Sequence, residues 1–512
     1  MERFLIRHKD RITGSIAGFD RILFRGSLRS ICYREGMEIF LSSQRVLYKD
    51  FRTFVQKLSG GLKARAEQLA QQAGRPLLYL SSAQESKEEI ARRIQQRDRI
   101  AEGLICVLSC VEPCQSFGIR RDREKKQLTL VAQERKCLHF YFYYLDREFG
   151  WMHIRVQSWL PMTVQVCVNG REWLARAMDR EGIAYQQKDN CFTQIADLPR
   201  AQALLDQLGE RRWERLLTAW AHRVNPWVDP KAGWDLRGYY WSFRQAEYAT
   251  DILFETAEGL AAIYPALVRQ AIEQFSAPQV MRFLGRRTNG RFSGEVSSHL
   301  ERRVEGTCVK HWVEENSIKM YDKQGSVLRI ETTINNPRRF RVRRQATRQG
   351  QVVRGWLPLR KGLADTRRRV ELSRAANERY LEALAVVGES KASHRILDPV
   401  SRPVETPRRY RALRPISPED SRLFQVVLRG EFQLQGVRNQ DLQRHLGPAA
   451  LGDAPQCRRL SSRITRQLAL LRAHGLIYRV LRTHYYRTTR KGQEVMNTAL
   501  KFRSSEVAVL AA

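Results

Sequence analysis

Between residues 102 and 170 five segments follow one another almost without pause: "EGLICVLSCVEP", "KQLTLVAQE", "KCLHFYFYYLD", "GWMHIRVQSW" and "MTVQVCVNG". Each is dense in β-branched and aromatic residues, the composition of strands that pack against one another. The helix-patterned "REWLARAMDREG", ending at Gly182, closes the run. A chain built this way is expected to be α+β with a largely antiparallel sheet. Upstream, residues 11–31 read as a strand pair around a glycine-marked turn. Helices follow at 36–57 and 61–74, then a short strand in "RPLLYLSS" and a helix at 86–98 opened by serines.

At 512 residues, length alone suggests about three domains. The expected division is an α+β domain over 1–215 and a second over 216–387, which ends in a long helix at 362–386. A proline-bearing linker over 388–416 leads to a last domain over 417–500.

Charge narrows the function. Lys and Arg number 89 against 54 acids, a formal +35. That excess is self-repelling unless a polyanion offsets it. No run of about 18 apolar residues exists, and "MERFLIRHKDRITG" lacks a signal-peptide core. The expectation is therefore a cytoplasmic protein that binds nucleic acid, DNA or RNA, and not a membrane. Nine thinly spread cysteines are cytosolic usage and not a disulfide framework. "CVLSCVEPC" spaces three of them four apart, without the paired C-x2-C of zinc sites, and Cys106 and Cys110 read as strand core.

The C-terminal segment carries the clearest pattern. "SPEDSRLFQVVLRG" opens with Ser417 as N-cap, "RNQDLQRHL" is a short helix, and "PQCRRLSSRITRQLALLRAHG" a third. Two strand-like pieces around Arg482 and a last helix follow. This order resembles the winged helix-turn-helix regulators over about 80 residues. Leu460, Ile464, Leu468 and Leu471 should face the core, leaving Arg459, Ser462, Arg463 and Arg466 to face DNA. Arg479, Arg482, Tyr485 and Arg487, with His484, would form a basic wing.

"KMYDKQGSVLRIE" (319–331) poses the enzymatic question. With Gln324-Gly325 as a two-residue turn, Asp322, Arg329 and Glu331 share one face of a hairpin. Asp322 and Glu331 then stand about 13 Å apart, so a shared Mg²⁺ needs acids from elsewhere. Glu247, Asp251, Glu295 and Asp20, a nuclease-type carboxylate of an RNase H-like sheet, are the candidates. The alternative is that Arg329 simply bridges acids. Lys319 and Lys323, with Arg339, Arg341 and Arg343 of "RRFRVRR", are candidate phosphate contacts, and the aromatics of 139–158 candidate base-stacking groups. No Walker loop, dinucleotide-binding glycine motif or nucleophile elbow is present.

The hairpin resembles the Lys-x-Tyr-Asp-Lys … Arg-x-Glu element of replication initiation proteins of filamentous phage and some plasmids. That resemblance implies Tyr321 as a DNA-nicking nucleophile, although the His-hydrophobic-His strand of many such enzymes is missing. Through "GFDRILFRGSL", "EGLICVLSCVEPC", "VNGREWLA" and "KMYDK…LRIETTINNP" the chain also resembles, nearly end to end, a bacterial family found in many copies per genome. It implies a mobile-element setting and a terminal winged helix, but no particular reaction. The expectations are thus a nucleic-acid-binding replication or transposition protein, a Mg²⁺-dependent nuclease, or a winged-helix transcriptional regulator.

Overall fold

A computed structural model describes the chain apart from residues 123, 125, 230–233, 235, 237, 287–293, 304–305, 349–350, 388–392, 406–407, 430–431, 433–435, 448–453, 482 and 505–512. It divides into two compact units, residues 1–268 with 298–385, and residues 269–297 with 386–512.

The first unit is organised by one sheet. Its strands are β1 (Ile12–Leu28), β2 (Leu77–Leu80), β3 (Gly103–Asp122), β4 (Gln127–Asp146), β5 (Gly150–Gln157), β6 (Val164–Asn169), β9 (Tyr239–Phe254), β10 (Val296–Arg303), β11 (Gly306–Val313), β12 (Asn316–Lys323) and β13 (Val327–Ile334). Between β6 and β9 the chain makes a separate hairpin, β7 (Tyr185–Lys188) with β8 (Cys191–Ile195). The large sheet runs β10-β11-β12-β13-β9-β1-β6-β5-β4-β3-β2. Pairings from β11 to β3 are antiparallel, and only the edge strand β2 lies parallel to its neighbour. The α+β, largely antiparallel expectation holds. Among the described residues no helix is long and apolar enough to cross a membrane.

Three expectations are corrected. The strand pair expected over 11–31 is one long strand, Ile12–Leu28, because β1 is the seam of the sheet, bonded to β6 on one side and β9 on the other. That pairing makes residues 1–215 and 216–387 halves of a single sheet, so no domain boundary falls at 215. The stretch 388–416 is not a free linker either. Leu397, Val400 and Leu413 are buried in the apolar core of the second unit.

One face of the sheet is apolar. Phe19, Ile22, Phe24, Phe243, Ala246 and Tyr248 are buried in the main core. The helix Thr366–Leu384 hydrogen-bonds this region through Asn377, whose amide donates to the carbonyls of Tyr248 and Ile330. A helix Gly170–Glu181 leaves β6 pressed against β1: a Cβ at Gly170 would lie 1.9 Å from the Phe19 carbonyl oxygen. Only glycine permits that approach, and it braces β1 immediately before Asp20.

The second unit contains helices Ser393–Leu397, Pro418–Val427, Asn439–Leu446, Ala454–Ala473 and Arg490–Ser504. Strands Ile477–Arg479 and Tyr486–Thr488 pair, and Val437 bridges to Tyr486. Ser417 accepts from the Asp420 N–H as the expected N-cap. Ile464, Leu468 and Leu471 are buried and Leu460 packs partly against the same core.

Candidate active site

The polar face of the central sheet is set by a bulge. Phe19 stands opposite Tyr248 and Ile22 opposite Ala246, so Asp20 and Arg21 on β1 share the single position Glu247 on β9. The extra residue keeps Phe19 and Ile22 on the apolar face and turns Asp20 and Arg21 together toward the other. Glu247 and, across β13, Glu331 point to that same side, since Glu331 pairs with Ala249 two residues from Glu247. Carboxylate oxygens of Asp20, Glu247 and Glu331 all lie within 4.8 Å of one another.

Each acid has a distinct environment. Asp20 is buried and accepts from Asn190 Nδ2 at 3.0 and 3.1 Å and from Arg329 Nη1 at 3.1 Å. Glu331, 1% exposed, accepts from the Tyr321 hydroxyl at 3.0 Å and lies 2.8 Å from Lys319 Nζ. Glu247 accepts from Gln245 at 2.6 Å and is 3.9 Å from Arg21. Burial first, then the nearby Glu331 charge, raises the Glu247 carboxyl above its ordinary range. Lys319 is held more basic than usual: burial works against its charge but Glu331 outweighs it.

The hairpin differs from the expected register. Its turn takes three residues, with Gln324 and Gly325 both at positive φ, so Tyr321 opposes Arg329 and Lys319 opposes Glu331. A slip of one residue exchanges the faces. Asp322 therefore leaves the acid cluster. It opposes Leu328 on the other face, where its N–H donates to the Tyr264 hydroxyl. The expected Asp322–Glu331 pair therefore does not form, and the carboxylates that do gather are those of Asp20, Glu247 and Glu331.

Asp251 is also a structural group. It is fully buried and receives Arg329 at 2.6 and 2.9 Å, with Arg171 3.0 Å away. Burial alone would raise its carboxyl, but Arg171 and Arg329 together lower it. Arg329 caps the network by donating to Asp251, Asp20 and the Asn190 carbonyl. Glu295 is exposed and belongs to the second unit. Tyr321 fits a positioning role better than a nucleophile's: burial first, then Glu331, raises its phenol well above the ordinary range.

Of the proposed phosphate contacts, Lys319 reaches the acid cluster while Lys323 is buried and paired with Asp189 at 3.3 Å. Arg339 is not on a strand but in a turn of 3-10 helix, 3.3 Å from Glu314. Arg341 is exposed on the hairpin formed with Gln351–Pro358; the side chain of Arg343 lies outside the described residues. On Ala454–Ala473, Arg459, Ser462, Arg463 and Arg466 are all exposed, as the helical period predicts. Arg479 and His484 are exposed, Tyr485 and Arg487 half-buried, and Arg482 lies outside the described residues.

A second donor cluster joins Cys114, Cys137 and His139, all buried, with the two sulfurs 3.0 Å apart. His139 commits Nδ1 to the Cys137 carbonyl at 3.1 Å, and burial pushes its pKa down to about 4. Asp20 was among the candidate carboxylates on the first strand, but its grouping with Glu247 and Glu331 in place of Asp322 was not foreseen. The signal was the polar pair in "GFDRILF", which breaks strand alternation where a bulge belongs. Comparison of the chain with protein-family models, curated proteins and solved structures gives no match.

Proposed function

We propose that the first unit is a divalent-metal phosphodiesterase acting on nucleic acid, and that the second unit binds duplex DNA. The observation that carries the first part is the gathering of Asp20, Glu247 and Glu331 oxygens within 4.8 Å from three adjacent strands. Three carboxylates at that spacing suit a hard cation such as Mg²⁺, which takes oxygen ligands and prefers carboxylates with substrate phosphate. Bound there, the ion would supply Lewis-acid stabilisation of a phosphoryl oxygen and activation of water. The protein's own groups have separable tasks. Lys319 offers a cation beside Glu331 for charge that develops on the phosphate, Tyr321 orients Glu331, and Arg329 with Asn190 fixes Asp20. The net charge of +35 supports a polyanionic substrate.

The exposed Arg459, Ser462, Arg463 and Arg466 on one helix face support the DNA-reading part, in the way a recognition helix enters the major groove. An enzyme that cuts nucleic acid and binds duplex would suit the mobile-element setting that the sequence resemblance implies, where excision or replication begins with strand cleavage. A specific observation favours a second reading, nucleic-acid binding without chemistry: Asp20 has Arg329 and Glu331 has Lys319 as ion partners, so the acids could serve as a neutralised network.

The test incubates the full chain with labelled single-stranded DNA, single-stranded RNA and duplex DNA in Mg²⁺, Mn²⁺, Ca²⁺ or EDTA. Cleavage in Mg²⁺ or Mn²⁺ that is lost in EDTA and in Glu331→Gln is the expected result. Absence of cleavage on every substrate with either metal would leave binding without chemistry.

A further inference from the structure

A second bulge lies on the same β1–β9 seam. Leu23 opposes Gln245 and Phe24 opposes Phe243, so Arg244 and Gln245 are turned together to the polar face, as Asp20 and Arg21 are. Beside Arg244, Arg25 on β1 aligns across β6 with Arg155 on β5 through their shared partner Gln165. Arg155 has an acid, Glu112, at 2.7 Å. Neither Arg25 nor Arg244 is paired with an acid among the described residues, and Arg25 Nε is sealed from solvent without an acceptor. Burial, then Arg244 and Arg155, make Arg25 less basic than usual, the mark of cations crowded without a counterion. Further along the same seam Arg29 lies 3.6 Å from the centre of the Tyr240 ring. A cavity of about 560 Å³ opens there, lined by Arg29, Tyr33 and Tyr240, with Tyr33 51% and Tyr240 39% exposed.

We propose that a single strand of nucleic acid runs along the β1–β9 seam, with a backbone phosphate held by Arg25 and Arg244 and a base lodged against Tyr240. The inference rests on the phosphodiesterase reading and assigns its substrate class. From Asp20 to Arg25 is five residues of strand, about 16 Å, so the held phosphate flanks the acid cluster and is not the one attacked. Crowded arginines without acids are completed by phosphate, and an exposed tyrosine beside a cavity accepts any base face. An unpaired strand presents both groups at once; a duplex keeps its bases stacked inside.

The experiment measures binding of fluorescent single-stranded DNA, single-stranded RNA and duplex to the full chain in EDTA, across a salt series. Arg25→Gln/Arg244→Gln should weaken single-strand binding at least tenfold and lower the log-salt slope by about 0.7 for each phosphate no longer neutralised. Tyr240→Ala should weaken it about fivefold or more with the slope unchanged. Because the double variant removes like charges, its thermal stability should match or exceed that of wild type, which separates lost binding from lost folding. A slope unchanged in the double variant overturns the proposal, and so does a loss that falls on duplex alone. If the slope falls but no metal-dependent cleavage is found, the seam stands and the phosphodiesterase reading falls. If cleavage is found with an unchanged slope, the phosphodiesterase reading stands and the seam falls.

Discussion

Glu247→Gln separates a metal site from a neutralised network, because the two assign opposite signs to its effect on stability. Glu247 has carboxylate oxygens of Asp20 and Glu331 within 4.8 Å. At an effective dielectric of about 20, each unit-charge repulsion at that distance is about 3.5 kcal/mol. Arg21 at 3.9 Å opposes this, but its side chain is 50% exposed, so the pair is screened to about 1 kcal/mol or less. Arg329 and Lys319 offset part of the remainder through Asp20 and Glu331. The metal-free variant should therefore be about 1–2 kcal/mol more stable than wild type at neutral pH. The sign with pH follows. Glu247 has a folded-state pKa raised above 4.5, so the folded state holds its proton longer than the unfolded chain does. Its penalty is absent below the unfolded value and grows as pH rises through the folded one, so the gain from Gln should vanish in acid. All ten tryptophans lie in the first unit, so urea unfolding followed by tryptophan fluorescence reports that unit alone. In 10 mM Mg²⁺ wild type should gain about 1.4 kcal/mol for a Kd near 1 mM, and the variant should gain little. A variant that is less stable than wild type in EDTA, with no difference in Mg²⁺ response, would refute the reasoning and make Glu247 a structural acid.

Arg329→Met leaves Asp251 and Asp20 without their shared cation, and should cost about 3–5 kcal/mol in the same urea assay. Loss under 1 kcal/mol means the network is not what holds β1, β9 and β13 together. Tyr321→Phe should keep Mg²⁺-dependent cleavage within about tenfold, because the phenol positions Glu331 and does not attack; complete loss with a covalent DNA adduct in wild type restores the nucleophile. Mg²⁺ affinity, measured by titration, should fall as pH drops toward the raised Glu247 value, since the protonated carboxyl no longer serves as a ligand. In the second unit, Arg463→Gln/Arg466→Gln should lower the duplex log-salt slope by up to about 1.8 while leaving cleavage of single strands unchanged.

What the sequence disclosed follows the range over which each feature is determined. Strand content between 103 and 169 is local, so β3 to β6 emerge where the β-branched and aromatic runs stand. The Arg459, Ser462, Arg463 and Arg466 face is local in the same way, since a helical period of 3.6 settles it. The hairpin register was local too, yet turned on whether its turn took two residues or three. The turn took three residues, 324–326, and that one extra residue moved Asp322 off the face and Tyr321 onto it. Asp20 lay beyond any local argument. The two acids that join it, Glu247 and Glu331, sit more than 220 residues away, and the pairing of β1 with β9 that unites them also erases the expected boundary at 215. The polar pairs Asp20-Arg21 and Arg244-Gln245, each framed by apolar residues, marked both bulges without saying what they would face.

The arrangement of charge on the seam explains why one buried arginine and several acids can coexist without cancelling. Arg329 is drawn to Asp251 by two short hydrogen bonds and to Asp20 by one, and Arg171 reinforces Asp251. Burial works against its charge, but Asp251 and Asp20 raise its pKa well above the ordinary range, so it remains charged at any pH the fold survives. Asp251 is thereby removed from chemistry, and Asp20 is fixed in direction while one carboxylate edge also serves Asn190. Glu247 and Glu331 are left with cations that sit toward the open side, Arg21 half exposed and Lys319 partly so. A divalent ion entering from that side would meet oxygens of all three carboxylates and would compete for them with Arg21 and Lys319. The bulge at Asp20 is what adds Arg21 to the face that carries the acids, since regular alternation would put Asp20 and Arg21 on opposite faces. Deleting Arg21 should therefore restore regular alternation with Phe19 and Ile22 still on the apolar face and Asp20 still opposite Glu247, so Mg²⁺ titration should show binding retained in the deletion as in Arg21→Ala; binding lost in the deletion alone would refute this account of the bulge.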